Sequence, residues 1–226
     1  MIPALGAVFF ITLAGWFAGP VFPWVVAVAM PYAALGTAIA GFTWKILSWS
    51  ASPVPFPIAA TGGQQQSLAW IPPARLEAPP NAFWAACRVA LEVLCFRSLF
   101  RNTQAVRTFD GKRIIYWPAW GLWAAALAFH YCLLVIVLRH LRFFLDPVPG
   151  FVVFLGNADG LFQVGVPRLY WTGAVIVPAL LFLLGRRLWD SRIRYLSLPA
   201  DYFFPFLLLG IAGSGLYMRY IDKVDA

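Results

Sequence analysis

The stretch that decides the fold is residues 119–143, AWGLWAAALAFHYCLLVIVLRHLRF. From Ala119 to Leu138 it contains no acidic residue, lysine or arginine. An apolar run of about 20 residues is the length that an α-helix needs to cross a hydrocarbon core of about 30 Å. The stretch therefore predicts a transmembrane helix. It also contains His130 and His140, the only two histidines of the chain.

The composition of the whole chain is that of an integral membrane protein. Of its 226 residues, 62% are hydrophobic and 12% are charged, whereas soluble domains carry about 25% charged residues. The formal net charge is +8, but no basic stripe or RNA-binding motif is present, which argues against nucleic acid as a partner. Three dispersed cysteines predict neither a disulfide framework nor a metal site.

Five apolar runs predict an all-α integral membrane bundle of about five transmembrane helices. The first run begins without the basic residues of a cleaved signal, so we expect it to be retained. Asp201 is placed to cap the last helix, because its carboxylate can accept free N–H groups of the first turn. The predicted spans are Ile2–Ala18, Trp24–Leu47, Ala119–Phe143, Tyr170–Leu184 and Tyr202–Tyr217.

The connectors divide the predicted chain into three regions: two N-terminal helices (1–48), a loop region (49–118) and a three-helix region (119–226). Within the loop region, the apolar run 82–100 is interrupted by charges, which predicts an amphipathic helix at the membrane interface. Asp110-Gly111 predicts a turn or short hairpin. We expect the chain between the third and fourth spans to be a loop, because it is rich in proline and glycine.

The distribution of charge predicts the orientation. The connector from Lys45 to Arg113 holds eight lysines and arginines, and the one from Arg186 to Arg194 holds four. With five spans these two connectors lie on the same side, and cytoplasmic connectors carry the excess of basic residues. We therefore expect a cytoplasmic N-terminus and residue 226 outside.

The spacing of the two histidines limits what they can bind. Ten residues of helix rise about 15 Å and leave a rotation of about 80° from whole turns. One metal ion cannot reach both imidazoles, so the pair indicates two centres at different depths, and haem is the natural candidate because imidazole is a usual axial ligand. Arg139 and Arg142 flank His140, where guanidinium groups can pair with haem propionates.

The same spacing also fits a haem-free protein. In that alternative His130 bonds to a neighbouring helix, His140 is merely interfacial, and the chain is a membrane scaffold or a transporter component with structural or proton-relay histidines.

Several ordered blocks resemble one family of membrane subunits. These are residues 52–71 (SPVPFPIAATGGQQQSLAWI), 96–103 (FRSLFRNT), 129–149 (FHYCLLVIVLRHLRFFLDPVP) and 186–203 (RRLWDSRIRYLSLPADYF). They resemble the DsrM-type membrane cytochrome b subunit of the sulfite-reduction-associated electron-transfer complex and, more distantly, the gamma subunit of respiratory nitrate reductase. The resemblance extends over about residues 30–226.

This resemblance implies a respiratory electron-transfer subunit in a prokaryotic inner (cytoplasmic) membrane that binds two haems b and exchanges electrons with menaquinone. His130 would ligate the haem nearer the cytoplasm and His140 the outer haem, beside the quinone pocket. The implied partners are an iron–sulfur, heterodisulfide-reductase-like cytoplasmic subunit and further membrane and periplasmic subunits. Chemistry on the terminal sulfur substrate would belong to those partners.

The chain departs from this family in one respect. Family members have a further span whose two histidines complete both haems, and this chain has no third or fourth histidine. We therefore expect that a missing segment or a separate chain supplies that helix, or that the haems are lost or ligated differently.

Overall fold

The computed structural model of the chain describes residues 1–52, 75–77, 79–107, 114–161 and 167–222. Most of the described residues lie in helices. The elements are, in order, α1 (Ile2–Val21), α2 (Met30–Ser50), α3 (Ala82–Cys95), α4 (Arg97–Phe100), β1 (Thr103–Arg107), β2 (Ile114–Pro118), α5 (Trp120–His140), α6 (Gly150–Ala158), α7 (Trp171–Trp189), α8 (Ser191–Leu196) and α9 (Pro199–Tyr220). A π-helical turn, Val25–Ala29, leads into α2, and a 3-10 turn, Leu141–Phe143, extends α5.

Five of these helical segments are long and apolar enough to cross a membrane, which confirms the predicted all-α, membrane-integral fold. They are Ile2–Val21, Val25–Ser50, Trp120–Phe143, Trp171–Trp189 and Pro199–Tyr220. All five agree with the predicted spans to within five residues at either end. The fifth begins at Pro199, earlier than predicted, because proline suits the first position of a helix. Asp201 then accepts a hydrogen bond from the Leu198 amide at 2.8 Å.

The described chain forms two compact units, residues 6–88 and residues 89–226 together with 1–5. The smaller unit contains most of α1, all of α2 and the start of α3. Before α2 the Met30 amide bonds to the carbonyl of Val25, five residues back, as a π-helical turn requires. This irregular turn directly precedes Pro31, which cannot donate a backbone hydrogen bond. The predicted division into regions 1–48, 49–118 and 119–226 stays a prediction.

The larger unit is built on α5, α7 and α9. Helix α7 lies in the middle, because it contacts both α5 and α9. Phe129 of α5 packs with Ile176, Ala179 and Leu180 of α7 in a buried cluster, and Leu208 of α9 lies against it. In the most apolar segment of each helix, 33% of the residues are buried in α7, against 11% in α5 and 6% in α9. The outer faces of α5 and α9 therefore remain open to lipid or to other subunits.

Short elements connect these helices. Strands β1 and β2 pair antiparallel, with Thr103 opposite Pro118 and Arg107 opposite Ile114. The predicted Asp110-Gly111 turn lies outside the described residues. Helix α3 is amphipathic in sequence, as expected, but ends at Cys95, where Phe96 adopts a left-handed conformation with φ 50°.

Two connectors between the spans contain short helices, and one of these connectors was predicted to be a loop. Helix α6 lies inside the predicted loop between the third and fourth spans, and buries Val152 and Gly156. The sequence did not predict this helix, because Pro149 precedes it and both its first residue, Gly150, and its interior residue Gly156 are glycines. Helix α8 begins where the Asp190 carboxylate accepts a hydrogen bond from the Arg192 amide at 3.0 Å.

Gly121 of α5 lies against the Phe182 side chain of α7. A Cβ added there would lie 2.9 Å from Cζ of Phe182. We expect Gly121→Leu to lower the free energy of unfolding by about 1–3 kcal/mol, because overpacking displaces the ring and the helix. The measurement is thermal unfolding in detergent, with Gly213→Leu as the control, since nothing lies within 4 Å of that position. Equal melting temperatures for the two variants would contradict this account of the packing.

Candidate functional site

Both histidines of α5 satisfy one ring nitrogen within their own helix. Nδ1 of His130 lies 2.7 Å from the carbonyl oxygen of Ala126, and Nδ1 of His140 lies 2.7 Å from that of Ile136. When Nδ1 donates its proton in this way, Nε2 carries the lone pair and is free to ligate a metal. Both imidazole side chains are exposed. Each ring is thus fixed by its helix through Nδ1, and its Nε2 remains available as a ligand.

His130 lies between aromatic rings. The ring of Phe129 is 4.8 Å from it and that of Phe96 is 5.0 Å away, both in edge-on geometry. The segment that carries Phe96 is held to α5 by two side-chain hydrogen bonds to the end of α3. Tyr131 donates to the Leu94 carbonyl at 2.8 Å, and Trp123 donates to the Cys95 carbonyl at 2.7 Å.

His140 lines a groove of about 450 Å³ between α5, α7 and α9. We call it the haem-end groove, after the cofactor that the sequence predicts beside His140. Ligand pockets in proteins range from about 300 to 1,000 Å³ and are mostly apolar. The walls of the groove include Leu133, Ile136, Ile176, Leu180, Leu208 and Ala212. Its polar end holds His140 with Arg139, Arg142 and Arg219. The groove therefore suits a flat apolar molecule with an anionic or polar edge.

A buried ion pair closes this polar end. Nη1 of Arg139 lies 2.5 Å from Oδ2 of Asp159, and their side chains are only 13% and 4% exposed. Asp159 also accepts hydrogen bonds from Thr172, from the amide at 2.9 Å and from the hydroxyl at 2.6 Å. The Arg139 guanidinium lies over the Tyr170 ring at 3.4 Å, and that of Arg219 lies 4.5 Å from the same ring.

Sequence reasoning placed Arg139 beside His140 but missed Asp159, Thr172, Tyr170 and Arg219. One signal was available: Asp159 stands in an otherwise uncharged stretch, residues 147–161. A carboxylate among apolar residues near a span usually has a partner and a role. The partner, however, lies 20 residues away in sequence, and no local spacing identifies it.

Arg142 lies in the 3-10 turn that follows α5. Its Nη2 is so close to Gly156 that a Cβ added there would lie 3.0 Å from it. Arg142 also lines a second cavity of about 470 Å³, which we call the arginine cavity, together with Arg168, Asn157 and apolar neighbours. Arg142 thus borders both the haem-end groove and the arginine cavity.

The described residues contain no group of three or more histidine, cysteine or acidic side chains that could hold a metal ion. Cys87, Cys95 and Cys132 are free. A centre built only on protein ligands is therefore not found in this part of the chain. A haem needs only one axial nitrogen from a histidine of this pair. The free Nε2 of each histidine and the groove beside His140 are compatible with this requirement.

These features define a class: a multi-pass helical membrane protein with one span that presents two imidazoles at different depths. The chain is 42% identical over 203 residues to the Hdr-like menaquinol oxidoreductase cytochrome b-like subunit of Archaeoglobus profundus, with 87% of the chain and 59% of the relative aligned. It is 41% identical to the protein of the same name from Archaeoglobus fulgidus, over 88% of the chain and 59% of that relative.

Over the aligned residues the chain is therefore similar to cytochrome b-like membrane subunits, which agrees with the predicted resemblance to the DsrM-type subunit. It spans about three-fifths of the length of these relatives. No family model matches the chain, and no solved structure matches it.

The Arg139–Asp159 pair makes a testable prediction about stability. We expect Asp159→Asn to lower the free energy of unfolding by about 3 kcal/mol, because Arg139 is left as a buried charge without its counter-ion. Thermal unfolding in detergent measures the change. Asp146→Asn is the matched control, since Asp146 is exposed and its loss of charge should have little effect.

The double variant Arg139→Gln/Asp159→Asn tests whether the two side chains stabilise each other. It should recover part of the lost stability, because a neutral pair leaves no buried charge. Additive losses in the double variant would show that the two side chains do not stabilise each other.

Proposed function

We propose that this chain is a membrane cytochrome b subunit of a menaquinol oxidoreductase complex, in which His130 and His140 each supply one axial ligand to a haem b. The observation that carries the proposal is the identical anchoring of the two rings, each through Nδ1 to the carbonyl four residues back. This leaves both Nε2 atoms as ligands, about 15 Å apart along one helix. Haem supplies one-electron redox chemistry, while the protein supplies ligation, orientation and local polarity.

The surroundings of the histidines support this role. The apolar walls of the haem-end groove exclude water from the face of a bound porphyrin, and the small residues Ala212 and Gly215 leave room for it. Arg139, Arg142 and Arg219 at the polar end offset the charge of propionates. Arg139 can do so while paired, because its guanidinium has five donors and Asp159 takes only some of them.

The relatives' names support menaquinol as the electron donor or menaquinone as the acceptor. We place quinone binding beside His140, and electron exchange with an iron–sulfur, heterodisulfide-reductase-like subunit at the cytoplasmic end, beside His130. Further membrane and periplasmic subunits complete the complex, and a separate chain or segment supplies the second axial ligands. The proposed location is a prokaryotic cytoplasmic membrane, with the N-terminus in the cytoplasm.

The proposal predicts the haem content of histidine variants. The chain should be purified together with the polypeptides encoded immediately downstream, and its reduced-minus-oxidised spectrum and pyridine haemochrome recorded. We expect two haems b per chain, about half that amount in His130→Ala or His140→Ala, and none in the double variant, because each variant removes one axial ligand.

Leu134→Ala is the control, because Leu134 is an exposed apolar residue of the same helix. It should retain full haem content. A complex without a b-type band, or a double variant with the wild-type band, would favour the haem-free scaffold or transporter instead.

A further inference from the structure

The arginine cavity adjoins the haem-end groove, with which it shares Arg142, Phe143 and Tyr170. It lies at the end of α5 and is formed by Arg142, Arg168, Asn157, Phe143, Val148 and Val153, among others. We infer that it binds a phosphate group, carried by an anionic phospholipid or present as free phosphate. The argument rests on the charge, anchoring and position of these side chains, and it does not require haem.

The described residues do not balance the charge of the cavity. Two guanidinium groups line it, and none of the lining residues that the structure describes is acidic. The nearby carboxylate of Asp159 is committed to Arg139 and Thr172. Nε of Arg168 is buried without a hydrogen-bond partner among the described residues, and the guanidinium packs against Gly160. An anion bound to the other nitrogens of this guanidinium would offset its charge.

The arginines are held in place by their surroundings. The carbonyl of Arg168 accepts hydrogen bonds from Arg219, at 3.2 and 3.3 Å, and from the Tyr220 hydroxyl at 3.4 Å. Nη1 of Arg168 lies 3.3 Å from Oδ1 of Asn157. Gly156 leaves the space that the Arg142 guanidinium occupies. The site is therefore built before any ligand arrives, which lowers the entropic cost of binding.

The position of the cavity favours a phosphate. Arg142 follows the end of α5 and Arg168 precedes α7, so both lie where the spans meet the interfacial layer. Lipid phosphates lie in this layer, and basic pockets between transmembrane helices bind anionic headgroups. Phe143, Val148 and Val153 give the cavity an apolar wall against which an acyl chain can pack.

Arg168 and Asn157 distinguish this site from the haem site. Arg142 borders both cavities, but neither Arg168 nor Asn157 lines the haem-end groove. Substitution of Arg168 by glutamine removes the charge and keeps the carbonyl that Arg219 and Tyr220 bind. Asn157→Asp keeps both arginines and adds a negative charge beside Arg168, so it remains informative if the first variant folds poorly.

The test is saturable binding of phosphatidylglycerol to the delipidated, purified complex, measured by native mass spectrometry and by the shift in melting temperature. Diacylglycerol with the same acyl chains and inorganic phosphate are the comparison probes. We expect Arg168→Gln and Asn157→Asp each to weaken phosphatidylglycerol binding about tenfold, because a hydrogen-bonded charge is removed or opposed. Arg194→Gln, an exposed arginine of α8, is the control and should bind as the wild type does.

The outcomes separate the sources of the phosphate. Phosphatidylglycerol binding that depends on Arg168 supports a lipid headgroup, and inorganic phosphate binding with the same dependence supports the free anion. Binding that is equal in wild type and both variants, or equal for phosphatidylglycerol and diacylglycerol, overturns the inference. Haem loss from Arg168→Gln with unchanged phosphatidylglycerol binding assigns the cavity to a propionate and overturns it as well.

Discussion

The ion pair between Arg139 and Asp159 ties together three elements that meet at one end of the larger unit. Arg139 stands in the last turn of α5, Asp159 directly follows α6, and Thr172 lies in the first turn of α7. Removing two charges from water is costly, and the loss is offset only where further hydrogen bonds satisfy both groups. Asp159 meets this condition through Thr172, whereas Arg139 packs on the face of Tyr170 and its buried Nε has no hydrogen-bond partner among the described residues.

The geometry of both cavities follows from this pair. With Arg139 drawn toward Asp159, its guanidinium packs on Tyr170, and Arg219 of α9 packs near the same ring. This closes the polar end of the haem-end groove. Arg142, three residues further on, is left to face Gly156 and the arginine cavity. The buried carboxylate of Asp159 thus neutralises Arg139 and leaves Arg142 available to an anion.

The sequence predicts the spans and the depths of the histidines, but not the contacts around them. Span positions follow from run length alone, and the separation of His130 from His140 follows from the rise of a helix. The Arg139–Asp159 contact joins residues that are 20 apart across a turn and a short helix, so no periodicity indicates it. Helix α6 was missed for a related reason: Pro149, Gly150 and Gly156 resemble loop residues, yet each suits either the start of that helix or its close packing.

The rotation between the two histidines gives them different surroundings. His130 adjoins Phe129, which is buried against α7, and contacts the ring of Phe96 from the segment after α3. His140, about 80° further around the helix, instead opens toward α7 and α9 and toward three arginines. Positive charge near a metal centre stabilises its reduced form, since the reduced form carries one positive charge fewer. If both sites hold haem, the arginines therefore raise the reduction potential at His140 relative to a His130 site walled by aromatic rings. Two haems on this helix would then differ in potential, because the ten-residue spacing places only one of the histidines beside the arginines.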